Sequence, residues 1–433
     1  MLANDLKLTQ NSYYTASANA QPDYPKLLSN IEADVCVVGG GFAGLSAAIE
    51  LADRGYKVVV LEAHHIGFGA SGRNGGQLIA GLACEQEMIE QTLGFEAAKQ
   101  VWQMSLEALS LVQERVKRFD ISCDLTQGFM GVAVNAKKTT QLNHWLDAMA
   151  QRYHYQVERI APNSIKNWIS SPHYHSGYYD PTGGHLHPLN YCLGLAKGAA
   201  SLGVKIFQQS AVLSMQQGEV TELTTANGKV KAKFVVLAGN MYLPEVSPKL
   251  APSLTKRIMP VGTYIIGTEP IEPGLAKQLI PSNSAVCDTN FVLDYFRMSA
   301  DKRMIYGGRV SYSAMTPFNL TSKMQARMAE TFPQLKNTKV EYTWGGFVDI
   351  TMSRAPDFGR INHNVYYLQG FSGHGVALTG LAGKLVAEAI AGQSQRLDVF
   401  AKIKHHDFPG GKWLRTPALV LGMLWYQLRD VLG

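Results

Sequence analysis

The residues Gly39-Gly40-Gly41-Phe42-Ala43-Gly44 put glycine at all three fixed positions of a G-x-G-x-x-G run, and an acidic side chain, Glu62, follows 18 residues after Gly44. Each position has a task in holding a dinucleotide. The first glycine permits a tight turn, the second lets a pyrophosphate approach the backbone, and the third lets a helix lie close on its strand. The unpaired N–H groups at the helix start then face the phosphates. A carboxylate at Glu62 can accept hydrogen bonds from ribose hydroxyls, and it disfavours a 2′-phosphate. Such a run says little alone, so the elements around it decide its weight.

Those elements are the right ones. Residues 33–38 (Ala-Asp-Val-Cys-Val-Val) form a short apolar run ending at the glycines, which reads as a buried parallel strand. Over 43–54 the residues Leu45, Ala48, Ile49 and Ala52 recur at helical spacing, Gly55 closes the helix, and 57–61 is a second strand. Strand, glycine turn, helix and strand make a βαβ unit.

Three further features separate FAD from NAD. Residues 67–77 read Gly-Phe-Gly-Ala-Ser-Gly-Arg-Asn-Gly-Gly-Gln, where Ser71 and Arg73 can serve phosphate oxygens and the glycines admit a flat ring. Ala238-Gly239 ends a late strand, 231–237, as a second approach to the same nucleotide requires. Gly373-His374-Gly375 opens a small-residue helix over 376–391 and can aim backbone N–H groups at the electron-rich edge of a reduced flavin. Between these pieces, 93–119, 139–153 and 189–202 read as helices, while 258–268, 290–298, 303–306 and 340–344 are β-rich and suggest an antiparallel sheet. The expected fold is α/β: a discontinuous Rossmann-like FAD-binding domain (33–92, 189–248, 345–400) interleaved with an α+β substrate domain (93–188, 249–344) built on an antiparallel sheet. An arm laid on the surface (1–32) and an amphipathic tail (401–433) flank them.

Together these motifs resemble the D-amino-acid oxidase-like family of FAD-dependent amine and amino-acid oxidoreductases, over about residues 33–392. Within it, 69–77, Gly184-His185-Leu186-His187-Pro188, Phe371-Ser372-Gly373-His374-Gly375 and Arg415-Thr416-Pro417-Ala418-Leu419 resemble the branch that oxidises gamma-glutamylputrescine. The resemblance implies that FAD is lined by Gly39, Gly41, Gly44, Glu62, Ser71, Arg73, Asn74, Gly75, Gly76, Gln77, Val212, Gly239, Gly373, His374, Gly375 and Val376. Sarcosine oxidases of this family hold flavin through a cysteine near the turn after the last substrate-domain strand. Val348-Asp349-Ile350-Thr351 contains none, so noncovalent FAD is expected.

The chemistry that follows is oxidation of a small-molecule amine to an imine and then an aldehyde, with O2 as acceptor reduced to H2O2. No catalytic acid or base is strictly required, and none is assigned. Tyr264, Tyr295 and Arg297 fall on expected substrate-domain strands, where they could supply amine-facing aromatics and a carboxylate clamp. The alternatives are an amino-acid oxidase or deaminase on the same scaffold, a membrane-peripheral amine dehydrogenase donating to quinone, and a flavin-binding protein without turnover. His185 and His187 point the same way on a β-like run, but no third ligand accompanies them. No metal is expected.

Composition sets the remaining bounds. The chain has 433 residues, 46% of them apolar, and a net charge of +6 with no long run of like charge, so nucleic acid is not an implied partner. Its five scattered cysteines lack C-x-x-C spacing, and its polar start lacks a signal peptide's apolar core, which together suit a cytoplasmic enzyme. The apolar stretch 417–426 falls short of the roughly 20 residues of a spanning helix. It packs on the protein's own surface or, in the second arrangement, gives a peripheral membrane contact.

Overall fold

The computed structural model describes residues 8–290, 293–311 and 319–409. The tail segment 417–426 lies outside them. Two sheets organise the described chain, and the chain crosses between them repeatedly. The first follows the order Asp357–Arg360, Val365–Gln369, Lys229–Leu237, Ile31–Val38, Val58–Leu61, Lys205–Phe207, with a hairpin of Ser214–Gln216 and Thr221–Thr224 attached to Lys229–Leu237. Its five strands from Val365–Gln369 to Lys205–Phe207 run parallel. Their apolar runs are continuous because both faces are covered. Val35 and Val37 face a core with the helices Phe42–Asp53, Phe95–Arg118, Pro188–Ser201 and Gly375–Ile390, while Cys36 and Val38 face a second cluster with Leu223, Leu243 and Leu250.

The second sheet has the order Val340–Thr351, Ile258–Thr268, Met304–Ser311, Tyr295–Met298, Ala285–Asp288, Thr126–Ala133, Ser176–His185, Gln77–Leu78, with Glu158–Ile160 beside Ser176–His185. All its pairings are antiparallel except Ala285–Asp288 with Thr126–Ala133. One face carries Ile266, Phe296 and Tyr306, which pack in a core against Met324 of the helix Leu320–Thr331. The other turns Ile265, Ile305 and Trp344 towards the first sheet's helical core.

Two expectations change. The helix Phe95–Arg118, placed by sequence in the segment 93–188 of the substrate domain, shares the core of the first sheet, and its buried Arg115 donates to Ser46 Oγ at 2.8 Å and Glu50 Oε1 at 3.1 Å. Its stripe of Val101, Leu109 and Val112 was legible, but periodicity does not say which sheet a stripe covers. The N-terminal arm is likewise more than a surface strap. Tyr14 is completely buried, and Tyr13 Oη donates to Asp301 at 2.7 Å. Tyr14 stands edge-on to Trp344 and His187, inserted between the second sheet and the helix Pro188–Ser201. Among the described residues no single helix is long and apolar enough to cross a membrane.

Candidate functional site

Where the strand Ile31–Val38 ends, Gly39 adopts φ +115°, a left-handed conformation that a side chain would strain. A Cβ on Gly44 would stand 2.0 Å from Gly39 O, so turn and helix touch through glycine alone. A Cβ on Gly41 would stand 2.8 Å from Ser71 Oγ, which itself accepts from Phe42 N at 2.9 Å and covers the start of the helix Phe42–Asp53. Glu62 leaves the end of Val58–Leu61. Its Oε2 accepts from Gly40 N at 2.7 Å and its Oε1 from His64 N at 2.8 Å. Burial pushes its carboxyl pKa up, and those N–H groups pull it back.

These groups form one end of a cavity of about 1180 Å³, part of it open to solvent. The cavity runs along the carboxyl ends of the parallel strands, the usual place for a ligand in such a sheet. Its far wall comes from Asn240 and Tyr242, from Val348 and Asp349 at the end of Val340–Thr351, and from the turn before Gly375–Ile390. That turn is tightly bent, with φ +77° at Gly370, +52° at Ser372 and +85° at Gly373. Asp349 holds it: its Oδ2 accepts from Phe371 N at 2.9 Å and from Gly370 N, and its main-chain oxygen accepts from Ser372 N at 2.9 Å. The chemistry suits a dinucleotide. Two helix N-termini supply N–H donors, Glu62 supplies an acceptor, and Asn240 Oδ1 is buried with no partner among the described residues.

The family model described as FAD dependent oxidoreductase matches residues 34–389. The chain belongs to that family. FAD is its cofactor, and it is an enzyme. It is 44% identical to gamma-glutamylputrescine oxidoreductase of Escherichia coli (strain K12) over 98% of this chain and 99% of that one. It is 40% identical to a probable oxidoreductase, OrdL, of Haemophilus influenzae, with 97% of each covered. Among solved structures, glycine oxidase from Geobacillus kaustophilus superposes with a TM-score of 0.72 at 19% identity, covering 87% of this chain and 99% of that one. L-proline dehydrogenase from P. horikoshii superposes with a TM-score of 0.71 at 21% identity, covering 87% and 96%. At such identities the two structures speak for the fold alone: mixed α/β, with a Rossmann-like part.

Of the residues expected to line FAD, this oxidoreductase places Gly39, Gly41, Glu62, Ser71 and Asn74 on the cavity wall, together with Val212, Gly239, Gly373, Gly375 and Val376. The others stand behind it. Gly44 packs on Gly39, and Arg73 turns its guanidinium to Phe68 O and lies over the Phe68 ring at 5.0 Å. Gly75 sits under Tyr295, where a Cβ would stand 2.7 Å from the ring. Gly76 accepts from Leu186 N at 2.8 Å, Gln77 Nε2 donates to Val286 O at 2.9 Å, and His374 Nε2 lies 3.1 Å from Ile79 O. After Asn74 the loop thus leaves the cavity wall and runs on as an edge of the second sheet, a change of partner that a continuous glycine motif conceals. Asn240, Tyr242 and Asp349 were not foreseen. The first two directly follow the recognised Ala238-Gly239, which was the signal available for them.

The three expected substrate residues separate by strand parity. Tyr295 faces the FAD loop, with its ring against Gly75 and Gly307. Tyr264 points to the opposite face, into the core of Ile266, Phe296 and Tyr306. Arg297 shares the face of Tyr295 but is 3% exposed. Its donors go to Gly75 O at 2.9 Å, Tyr14 Oη at 3.1 Å and Met298 O at 3.3 Å, so it braces a loop and does not serve as a free carboxylate clamp. His185 and His187 are both engaged. His185 Nε2 lies 2.8 Å from Asn283 O; His187 Nδ1 accepts from Asn190 N at 3.1 Å, capping the helix Pro188–Ser201. Burial, reinforced by the Arg297 charge, lowers both pKa values to about 3.

Proposed function

We propose that this enzyme oxidises the terminal amine of gamma-glutamylputrescine or a similar blocked diamine to an imine that water hydrolyses to the aldehyde, with O2 as acceptor reduced to H2O2. The observation that carries this reading is the end-to-end likeness to the Escherichia coli gamma-glutamylputrescine oxidoreductase, 44% over 98% of the chain.

FAD, when bound, takes up the two electrons and the hydrogen that leave the amine-bearing carbon. The chain's own residues bind and orient. In this reading the start of Phe42–Asp53, with Ser71, receives the pyrophosphate, Glu62 the ribose, and the turn Gly373-His374-Gly375 the electron-rich edge of the ring. Tyr295 supplies an apolar, hydroxyl-tipped wall on the substrate side.

An anaerobic panel scored by loss of flavin absorbance tests the proposal. Gamma-glutamylputrescine is expected to reduce the flavin fast, putrescine more slowly, and glycine, sarcosine or D-alanine very little. Preference for any of the last three overturns the substrate. Turnover that needs a quinone and releases no peroxide overturns the acceptor.

A further inference from the structure

Tyr14 stands where the cofactor loop is held from behind. Three groups packed around it each lead to a main-chain carbonyl of that loop. Trp344, edge-on to the Tyr14 ring at 5.1 Å, donates from Nε1 to Arg73 O at 3.1 Å. Arg297, whose Nη2 donates to Tyr14 Oη at 3.1 Å, donates from Nε to Gly75 O at 2.9 Å. His187, its ring 4.9 Å from that of Tyr14, follows Leu186, whose N–H donates to Gly76 O at 2.8 Å. The loop carries the restraint to the cavity wall through Asn74 and Ser71. Asn74 Oδ1 accepts from Gly76 N at 2.8 Å and its Nδ2 donates to Ala70 O at 2.9 Å, while Ser71 Oγ accepts from Phe42 N at the start of the helix Phe42–Asp53.

The buried plug is short. Ser12, Tyr13 and Tyr14 are buried, whereas Asn11 before them and Thr15, Ala16 and Ser17 after them are exposed. Polar contacts tack down both ends, Asn11 Nδ2 donating to Glu341 O at 3.1 Å and Asn19 N to Asn190 Oδ1 at 2.8 Å. Between them, His187 Nδ1 accepts from Asn190 N, which leaves the imidazole proton on Nε2, 3.1 Å from Ser17 Oγ. A segment with so few buried side chains opens at a cost below that of unfolding the whole chain. We propose that Tyr14 is a positioning residue for the FAD loop, and that docking of the segment 12–17 and binding of FAD are coupled, each tightening the other.

With the segment docked, the Tyr14 hydroxyl fixes the guanidinium that holds Gly75 O, and its ring fills the space beside Trp344 and His187. With the segment undocked, water enters that space and Arg297 exchanges its phenol acceptor for solvent. The loop 70–76 then has more conformations to give up when FAD binds. By reciprocity, the factor by which docking tightens FAD is the factor by which FAD holds the segment shut. Two amides report on docking, since both belong to exposed residues and close a turn on the buried plug: Ala16 N donates to Ser12 O at 3.1 Å and Ser17 N to Tyr13 O at 2.9 Å.

The test compares hydrogen exchange of the whole chain with and without FAD, and FAD titration of apoprotein followed by flavin fluorescence. The Ala16 and Ser17 amides are expected to exchange about tenfold more slowly with FAD bound. Lys138 and Thr139, which close a turn on Asn135 away from the cavity wall, should not change. Tyr14→Ala should raise the FAD dissociation constant about thirtyfold, and Tyr14→Phe, which keeps the ring and loses only the hydroxyl, about threefold. Equal exchange at Ala16 and Ser17 in the two states overturns the coupling. So does a Tyr14→Ala protein whose urea midpoint falls while its FAD constant stays within about twofold of native, since Tyr14 would then serve the fold alone. Should Tyr14→Ala not fold, the exchange comparison on native protein decides, with Tyr14→Phe as the titrated variant. None of these readouts depends on which amine is oxidised.

Discussion

Arg297 Nε donates to Gly75 O at 2.9 Å, tying the middle of the second sheet to the loop that leaves the FAD cavity at Asn74. Through Nη2 the same guanidinium reaches Tyr14, so the N-terminal segment, the substrate-side sheet and the cofactor loop meet at one buried cation.

Replacing that cation should therefore damage the cofactor loop before it damages substrate selection. Arg297→Ala leaves Gly75 O and Tyr14 Oη without their donor, and is expected to cost about 2–4 kcal/mol in denaturant unfolding. FAD retention should fall with it. Normal stability and FAD content, with affinity lost only for amino-acid substrates, would restore the carboxylate-clamp role.

Gly41→Val should abolish FAD retention, since even its first carbon meets Ser71 Oγ at 2.8 Å, where the proposed reading seats the pyrophosphate. The measurement is flavin absorbance per polypeptide after gel filtration. A normal ratio would remove the fingerprint from the argument.

FAD should leave the native protein on acid or heat precipitation, because no cysteine is among the described residues of the cavity wall. Yellow colour remaining with the washed precipitate would show a covalent link.

Glu62→Ala should weaken FAD by about 1.5–3 kcal/mol, the scale of a hydrogen bond to a charged group. Part of that loss passes through the turn, since Glu62 also holds Gly40 N and His64 N. A dissociation constant unchanged within error would leave Glu62 without a cofactor role.

His185 and His187 should make the fold acid-sensitive well above the carboxylate range. Each has a folded pKa of about 3 against an ordinary 6.5, so the unfolded chain binds the protons first. Their stabilisation is complete above about pH 6.5 and drains away as pH falls towards 3, by up to about 1.4 kcal/mol per pH unit for each imidazole. Asp349 acts in the other sense, its raised pKa favouring the fold at low pH. Urea midpoints at pH 7.5 and 5 measure the net effect. The difference should shrink in His185→Gln, and an equal difference there would count against the buried neutral imidazole.

The contributions of sequence and tertiary structure divide along a physical line. The turn 39–44, its two strands and Glu62 span about one βαβ unit, so every constraint on them is local, and the residue types already state the chemistry. The same holds for the small-residue helix Gly375–Ile390 and its glycine turn. Strand 258–268 shows where this ends. It is apolar on both faces, carrying Met259, Val261, Ile265 and Ile266, so no alternation in the sequence says whether Tyr264 looks at the cofactor or away from it. Only its register, opposite Gly308 and Gly345, sends Tyr264 into the far core while Tyr295 faces Gly75.

Partners distant in the chain are the other limit. Tyr14 lies in a polar N-terminal stretch with no periodicity, and its burial depends on Trp344 and Arg297. Asn240 and Asp349 are ordinary polar residues, one just after a strand and one near the end of another, and come to line a single cavity because two different sheets finish there. Sequence by itself determined the cofactor class, the βαβ frame and most of the long helices, since those follow from short-range stereochemistry and hydrophobic period. The tertiary structure decided which face each strand turns to the cofactor, which arginine is spent on a loop, and which carboxylates share the cavity, because burial and charge proximity arise only when remote segments close on one another.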